Sequence, residues 1–474
     1  MRALAGLTSF GLSGWLSQGR RRYGSAVALT LLVILAAAVS VAEPRSAAVA
    51  ATFGIGVLVL SVATGRLPYV AVPVFLGFGL RVAVAFVHRY VVPLPQWADA
   101  AVFENRALRL TQLTPAEHLQ AFDLGPDFIS WLAGWVFRSV GPELLVGQLV
   151  MATLGALLIV ATSRFAVALG ATSRTALTVA WVMAFFPQPV LHSALLLREI
   201  PFALLITVAG TFMIRWERTR SPAAALGAGL AVLGAAAFHA AALFLLAAAL
   251  LFVVIRSVDA GNTARGLLSI VGVVAIATIG FYVISTEFGA DQLGGSFEVM
   301  DEAFFEREAR APVGGAAYPE WTRIQGPQDF WKAPVRIGLF LFAPFPWMIT
   351  SARQLLGLVD SLLYVAAVVL IIRSVPRWRA AQRMASFLLV LFVLTAGVSV
   401  FGINVSNYGT AIRHRAKFAS YVVVLAVAGM SASALRPTVE RPAGAPERDP
   451  GRSGPRTRDT GRMGGDSGKD LRRG

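Results

Sequence analysis

The chain has 474 residues, of which 56% are hydrophobic and only 14% are charged, and its formal net charge is +16. It contains no cysteine, which excludes disulfides, thiolate metal sites and cysteine nucleophiles. Many apolar runs are roughly 16 to 20 residues long, and about 20 residues span a bilayer core. The composition therefore predicts an all-α fold, a polytopic membrane helical bundle without a large soluble domain. The basic excess suits inner loops and anionic lipid, so membrane lipids, and not nucleic acid, are the expected partners.

Apolar runs predict about twelve transmembrane helices within residues 1–435, which form one membrane domain. The predicted spans are 24–42, 46–64, 68–87, 142–160, 173–190, 200–215, 222–237, 238–255, 266–285, 354–372, 384–402 and 418–435. Three arginines, Arg20 to Arg22, precede the first span, and short cytoplasmic loops carry an excess of Lys and Arg. We therefore expect a multi-pass protein of the cell membrane with a cytoplasmic N-terminus.

The C-terminal residues 436–474 are rich in Arg, Pro, Gly and Asp, which predicts a disordered, basic, cytoplasmic tail. By parity, two long loops, residues 88–141 and 287–333, then lie on the outside. In the first loop, residues 128–137 are too few to cross the membrane and carry two tryptophans, which favour the membrane interface. We expect an amphipathic helix there, on the outer leaflet.

Two other apolar stretches do not fit a single regular span. Residues 335–349 contain Pro344 and Pro346, which break a helix, so we expect a re-entrant or interfacial helix on the outer side. A single helix over residues 221–255 would be about 50 Å long, well beyond the bilayer core. Two short helices that meet near His239, with an outward-facing junction, fit better.

Carboxylates follow the third predicted span, at Asp99 and Glu104. A carboxylate near the mouth of a membrane cavity can act as a general base that accepts a proton from an attacking hydroxyl. Aspartate is also a common N-cap residue, and Asp99 precedes a helical pattern, so a cap is the simpler interpretation of this motif alone.

Polar residues near membrane depth occur at Arg198 and His239. Arg198 is followed by Glu199, and it has two interpretations, a functional charge or a local ion pair that reaches toward the headgroups. His239 is either a base or a polar side chain satisfied by a neighbouring helix, and the second interpretation is the simpler one.

The most informative segment is Asn404–Lys417, a basic loop between two apolar runs. The positive-inside tendency disfavours Lys and Arg in short outer loops. The presence of Arg413, His414 and Arg415 in this loop therefore indicates a functional role. Arginine suits phosphate oxygens, which predicts an outward-facing site for a phosphate-bearing lipid. The alternative is an anchor for lipid headgroups.

Nothing in the sequence requires a metal ion or another cofactor, and none is expected. Acidic side chains between Glu298 and Glu308 can bind a cation, but a solvated helix face explains them more simply. The chain has no glycine-rich phosphate loop of the nucleotide-hydrolase type, so nucleotide hydrolysis is not expected.

The order of these motifs resembles a known family over most of the chain, from about Tyr69 to Leu435. The motifs are Asp99 in its loop, Leu195-Leu-Leu-Arg198-Glu199, Phe238-His239, Ala343-Pro-Phe-Pro-Trp347 and Asn407-Tyr-Gly-Thr-Ala-Ile-Arg413-His-Arg415. Their order is similar to that in bacterial integral-membrane glycosyltransferases of the GT-C type and the related polymerases of surface polysaccharides. The single motifs are short, so the specificity lies in their order.

The resemblance implies a polyprenyl-phosphate-linked sugar donor and a catalytic base in the first large outer loop. Asp99 corresponds to that base by context, with Glu104 in reserve. In the related polymerases and ligases, outer arginines and a histidine engage a polyprenyl pyrophosphate, and this chain offers residues of the same types. They are Arg198, His239, Arg413 and Arg415. The acidic loop here follows the third predicted helix and not the first, so either a helix pair has been added or Asp99 is not the equivalent residue.

The sequence therefore predicts an enzyme, a membrane glycosyltransferase that moves a sugar or glycan to an acceptor hydroxyl on the outer face. Its partners would be the lipid-linked donor and a glycan or lipid acceptor, in cell-envelope polysaccharide or glycolipid synthesis. The alternative is a flippase or transporter of a lipid-linked glycan. Such proteins often show internal repeats, and no repeat is obvious in this chain.

Overall fold

A computed structural model describes residues 44–94, 97–249, 316–349 and 352–430. Several predicted features lie outside the described residues, wholly or in part. They are the spans 24–42 and 266–285, the ends of the spans 238–255 and 418–435, most of the loop 287–333 with its acidic residues, and the tail 436–474.

The described residues are helical and form no strand; they contain one isolated β-bridge, between Ala317 and Asn407. The expected all-α class is therefore confirmed for this part of the chain. The α-helices are α1 (Pro44–Thr64), α2 (Ala71–Tyr90), α3 (Trp97–Thr111), α4 (Pro115–Gln120), α5 (Phe128–Val140), α6 (Leu144–Ala168), α7 (Ser173–Phe185), α8 (Pro187–His192), α9 (Glu199–Thr219), α10 (Pro222–Phe238), α11 (Ala333–Phe342), α12 (Ala352–Ala380), α13 (Met384–Asn404), α14 (Tyr408–Arg415) and α15 (Ala419–Met430). Residues 242–249 are also helical.

Six helical segments of the described chain are long and apolar enough to cross a membrane. They are Ala47–Thr64, Pro68–Tyr90, Leu144–Ala168, Glu199–Thr219, Gln354–Ala380 and Met384–Asn404. Each overlaps one of the spans predicted from the sequence. This helical content indicates a membrane protein, and six of the twelve predicted spans coincide with helices that are long and apolar enough to cross a membrane.

The predicted span 173–190 is not one continuous helix. Helix α7 ends at Phe185, and Phe186 has an extended backbone before Pro187 starts the six-residue α8. Proline disfavours helical geometry in the residue that precedes it, which explains the break. The break turns the chain and places His192, at the end of α8, in the protein interior.

Helix α6 lies at the centre of the packing and contacts α1, α2, α7 and α9. Its small residues allow close approach of its neighbours, as is usual between membrane helices. A Cβ atom on Gly155 would lie 2.5 Å from the Cβ of Ser193 and 2.8 Å from the Nε of Arg81. Gly155 therefore lets the segment after α8 pack directly on α6.

The predicted outer loop 88–141 is largely helical and contains α3, α4 and α5. The amphipathic helix expected at 128–137 is present as α5, and α5 packs against α3. The tryptophans of α5 are half-buried. The indole of Trp131 donates a hydrogen bond to the carbonyl of His118 at 2.9 Å, and Trp135 stacks on the His118 ring. These contacts fix α5 to α4.

The segment with the two prolines is broken as expected. Helix α11 ends at Phe342, before Pro344, and a short 3₁₀ turn follows at Pro346–Met348. Ten residues of α-helix are about 15 Å long, too short to cross a bilayer core. Helix α11 packs against α13.

The basic segment after α13 contains the helix α14, whereas the sequence predicted a loop for this segment. Asn407 caps α14, since its side chain accepts a hydrogen bond from the backbone N–H of Thr410 at 2.7 Å. This cap satisfies a backbone donor at the start of the helix. A 3₁₀ turn, Ala416–Phe418, then leads into α15. Because Arg413, His414 and Arg415 follow one another in this helix, their side chains point in different directions.

Candidate functional site

Arg413 joins two carboxylates that are far apart in the sequence. Its Nη1 lies 2.6 Å from Oδ2 of Asp99, and its Nε lies 2.7 Å from Oε1 of Glu199. Asp99 belongs to the first turn of α3, Glu199 is the first residue of α9, and Arg413 is in the last turn of α14. Carboxylates at helix N-termini and a cation at a helix C-terminus agree with the helix dipoles. We call this arrangement the Arg413 bridge.

The two carboxylates of the Arg413 bridge have different surroundings. The Glu199 side chain is fully buried, whereas the Asp99 side chain is 56% exposed. Burial acts to lower the pKa of Arg413, but Glu199 and Asp99 outweigh it and raise the pKa. Arg413 therefore stays charged, with one partner inside the protein and one at the surface.

A second basic layer lies next to the Arg413 bridge. The Nζ of Lys417 lies 2.8 Å from Nδ1 of His414 and 4.0 Å from Oε1 of Glu199. It also lies over the rings of Phe401 and Phe202, 4.4 and 5.1 Å from their centroids. Burial holds the pKa of Lys417 well below its ordinary range, and Glu199 opposes this shift. Glu199 therefore lies within 4.0 Å of two basic side chains of the site, those of Arg413 and Lys417.

The two histidines predicted as site residues lie side by side. The rings of His239 and His414 are 5.7 Å apart, and each lies against Phe401. Burial lowers the pKa of His414 well below the ordinary value, so His414 is neutral near pH 7. The backbone N–H of Ala241 donates to Nδ1 of His239 at 3.3 Å, which leaves the proton on Nε2. In this tautomer the Nε2 of His239 is a hydrogen-bond donor.

Arg198, which precedes Glu199, does not use all of its hydrogen-bond donors within the described residues. It is half-buried, and its Nη1 donates to the carbonyl of Phe238 at 3.3 Å. Its Nε has no hydrogen-bond partner among the described residues. Burial lowers the pKa of Arg198, and Glu199, Asp127 and Asp99 offset part of the shift. The Arg198 guanidinium therefore lies in the field of the same carboxylates as Arg413.

His192 is a fully buried member of this region. Burial lowers the pKa of His192 to about 4; Glu199 opposes this shift, while Arg413 and Lys417 add to it. Neither ring nitrogen has a hydrogen-bond partner among the described residues. A neutral imidazole with both nitrogens unsatisfied is a place where a buried water or a ligand group would be stabilised.

Glu104 lies further along α3 than Asp99 and is buried. Burial raises the pKa of Glu104 to about 7, and Arg89 offsets part of the shift. Its Oε1 has no hydrogen-bond partner among the described residues. Glu104 is thus a buried acid on the same helix as Asp99, and it forms no ion pair with another described residue.

Arg415 is not part of the Arg413 bridge, contrary to the expectation from the sequence. It is fully buried, and its Nε lies 2.6 Å from Oδ2 of Asp360 in α12. Its Nη1 donates to the carbonyls of Leu341 and Ala343 at 2.9 and 2.8 Å, and its Nη2 donates to Oγ of Ser361 at 3.0 Å. Arg415 therefore satisfies the carbonyls at the end of α11 and holds α11, α12 and α14 together.

Glu199 and Lys417 belong to the site but were not predicted as site residues. Lys417 lies four positions after Arg413, the spacing at which helical side chains share a face, which is a signal that the sequence contains. Glu199 was visible only as a neighbour of Arg198. Apart from these contacts, Arg106 forms ion pairs with Asp123, at 3.4 Å, and with Asp127.

Within the described residues, no group of three or more His, Asp and Glu side chains is arranged to hold a metal ion. The site is built from cations, carboxylates and neutral imidazoles, which suits recognition of an anion by charge and hydrogen bonds.

Comparison with models of known protein families finds no match, and comparison with curated proteins finds none either. The fold and the site define the class: a helical membrane protein with a cluster of paired charges where α3, α9 and α14 meet.

Proposed function

We propose that the protein is a membrane glycosyltransferase of about twelve crossings with cytoplasmic termini. It moves a sugar or glycan from a polyprenyl-phosphate-linked donor to an acceptor hydroxyl on the outer face of the cell membrane. The observation that carries this proposal is the Arg413 bridge. An exposed carboxylate, Asp99, and two arginines, Arg413 and Arg198, meet at one place, which supports a base and a phosphate site side by side.

The reaction assigns a role to each of these groups. Asp99 takes the proton from the acceptor hydroxyl, whose oxygen forms a new bond to the anomeric carbon of the sugar. The bond from that carbon to the carrier phosphate breaks on the opposite side, so the transfer is inverting. The electron pair leaves with the phosphate oxygen, and Arg413 and Arg198 stabilise the charge that develops there.

The remaining groups position the donor. His239 and the neutral His414 offer hydrogen bonds, and Glu199 holds Arg413 in place through the Arg413 Nε. In this proposal Arg415 has no contact with substrate, because its donors are used by Asp360 and the carbonyls of α11. Glu104 remains the reserve candidate for the base.

The proposal is tested with purified protein in liposomes that contain a labelled polyprenyl-phosphate sugar and an acceptor glycan. Asp99→Asn should abolish transfer, whereas Asp123→Asn, which removes another exposed carboxylate paired with an arginine, should retain it. Transfer that is unchanged in Asp99→Asn would remove Asp99 from the mechanism.

One observation favours the alternative, a flippase or transporter of a lipid-linked glycan. Arg81 is fully buried within α2, far from the helix ends, and its Nε has no hydrogen-bond partner among the described residues. Charges inside a membrane span often mark a transport path. Its Nη atoms, however, donate to the carbonyls of Gly77, Met183 and Ala184, which gives Arg81 a packing role between α2 and the end of α7. A transport path through Arg81 predicts that Arg81→Met slows translocation of a fluorescent lipid-linked glycan.

A further inference from the structure

The two ion pairs of the Arg413 bridge differ in how easily they can be broken. Glu199 is fully buried, so a break of its pair with Arg413 would leave a carboxylate inside the protein with less compensation. Asp99 is 56% exposed and regains water when it leaves Arg413. Exposed ion pairs contribute little to stability. Asp99 is therefore the exchangeable partner and Glu199 the permanent one.

We infer that Asp99 is a built-in competitor for the anion site: a phosphoryl anion displaces Asp99 from Nη1 of Arg413, while Glu199 keeps its bond to Nε. The inference rests on the proposed function for the source of the anion, the lipid-linked phosphate of the donor. The exchange regulates the site, which goes beyond the roles of Asp99 as base and Arg413 as phosphate ligand.

The geometry favours this exchange over simple addition of a ligand. Nη1 and Nε of Arg413 are both occupied, by Asp99 and Glu199 respectively. A phosphate that binds beside Nη1 comes close to the exposed carboxylate of Asp99, and the two negative charges repel each other. Phosphate offers several oxygens, and Arg198, which interacts electrostatically with Arg413 and Asp99, provides a second positive charge. The phosphate thus gains contacts that Asp99 alone does not make.

The exchange couples base and donor. While Asp99 is paired with Arg413, its Oδ2 accepts a hydrogen bond from Nη1 of Arg413 and is not free to accept the proton of an acceptor hydroxyl. Arrival of the phosphate breaks this pair and leaves Oδ2 of Asp99 free to accept the proton of the acceptor hydroxyl. The carboxylate is therefore activated only when a donor occupies the site. When no donor is bound, Asp99 stays paired with Arg413 and does not activate water.

The test is a binding titration with the purified full-length protein in detergent. Farnesyl phosphate and inorganic phosphate are the two probes, and the variants are Asp99→Asn and Asp123→Asn. Loss of the competitor should tighten binding in Asp99→Asn by about two- to fivefold, the range of an exposed ion pair. Asp123→Asn, whose carboxylate pairs with Arg106, should bind as the wild type does. Weaker or unchanged binding in Asp99→Asn would overturn the exchange.

The two probes distinguish the source of the anion. Tighter binding of farnesyl phosphate than of inorganic phosphate identifies a lipid phosphate, and equal binding contradicts the lipid source. The outcome is also separate from that of the proposed function: Asp99→Asn can bind more tightly whether or not the wild type transfers a sugar. Transfer by the wild type without tighter binding in the variant would overturn the exchange alone.

A second measurement needs no variant and guards against a variant that does not fold. A cryo-electron microscopy structure of the wild type with farnesyl phosphate should show Asp99 more than about 4 Å from Arg413, beyond ion-pair distance. The bond between Arg413 and Glu199 should remain. A structure with bound phosphate and an intact Asp99–Arg413 pair would contradict the exchange.

Discussion

Arg413 and Glu199 are 214 positions apart in the sequence, yet Nε of Arg413 lies 2.7 Å from Oε1 of Glu199. This bond joins the end of α14 to the start of α9, and it fixes the direction in which the guanidinium faces Asp99. The positively charged group of the site is therefore oriented by a buried carboxylate. A phosphate site needs such orientation, because a flexible cation loses entropy when it binds.

The first prediction concerns the guanidinium shape. Arg413 contacts Asp99 and Glu199 through two different nitrogens, which a lysine ammonium cannot reproduce at the same positions. We expect Arg413→Lys to weaken donor binding by roughly ten- to hundredfold, the equivalent of about 1.5–3 kcal/mol for a charge-assisted contact. The measurement is a titration with the lipid phosphate.

Arg109→Lys provides the matched control, since Arg109 is an exposed arginine at the end of α3. It should bind the donor as the wild type does. If Arg413 only anchored lipid headgroups, Arg413→Lys would be as silent as the control, because charge alone suffices for that task.

The second prediction concerns the buried pair of Arg415 and Asp360. Removal of one partner leaves the other charge inside the protein, which costs about 3–5 kcal/mol. We expect Asp360→Asn to lower the free energy of unfolding by this order. The measurement is thermal or denaturant unfolding in detergent.

Asp123→Asn is the comparison for this loss, because its pair with Arg106 is half-exposed and should be worth less than about 1 kcal/mol. Equal stability of Asp360→Asn and Asp123→Asn would show that Arg415 does not hold α11, α12 and α14 together.

The third prediction concerns pH. Burial raises the pKa of Glu104 from 4.5 to about 7, so the folded protein keeps a proton that the unfolded chain has released. Stability therefore falls as the pH rises between these two values, by an amount on the order of 3 kcal/mol at most. Glu104→Gln removes this loss. Its melting temperature relative to the wild type should be higher at about pH 8 than at about pH 5.

Glu320→Gln serves as the control, since Glu320 is exposed and its replacement should shift the melting temperature equally at both pH values. The account of Glu104 is wrong if Glu104→Gln behaves in the same way as this control.

Part of the site was predictable because charge placement is a strong signal in a membrane protein. Asp99, Arg198, His239 and Arg413 were expected to lie near one another, since the positive-inside rule assigned them to the same side. The structure brings these four residues to one region of the fold. Their pairing could not be predicted, because it depends on the packing of α3, α9 and α14.

The role of Arg415 could not be deduced while its segment was taken as a loop. In an α-helix, residues two positions apart point about 200° away from each other. Once Asn407 starts a helix, Arg413 and Arg415 must face different neighbours. Arg413 meets Asp99 and Glu199, and Arg415 meets Asp360. The capping residue Asn407 is visible in the sequence. The partners of Arg413 and Arg415 depend on how the neighbouring helices pack, which the sequence alone does not show.

We propose that this protein makes a glycosidic bond, and a transfer assay in liposomes is the direct test. Purified protein is placed in liposomes with a polyprenyl-phosphate sugar and an acceptor, and the products are analysed by mass spectrometry. The account predicts an acceptor that is heavier by the transferred sugar, together with released polyprenyl phosphate. Translocation of the intact lipid-linked sugar with no new glycosidic bond would contradict it.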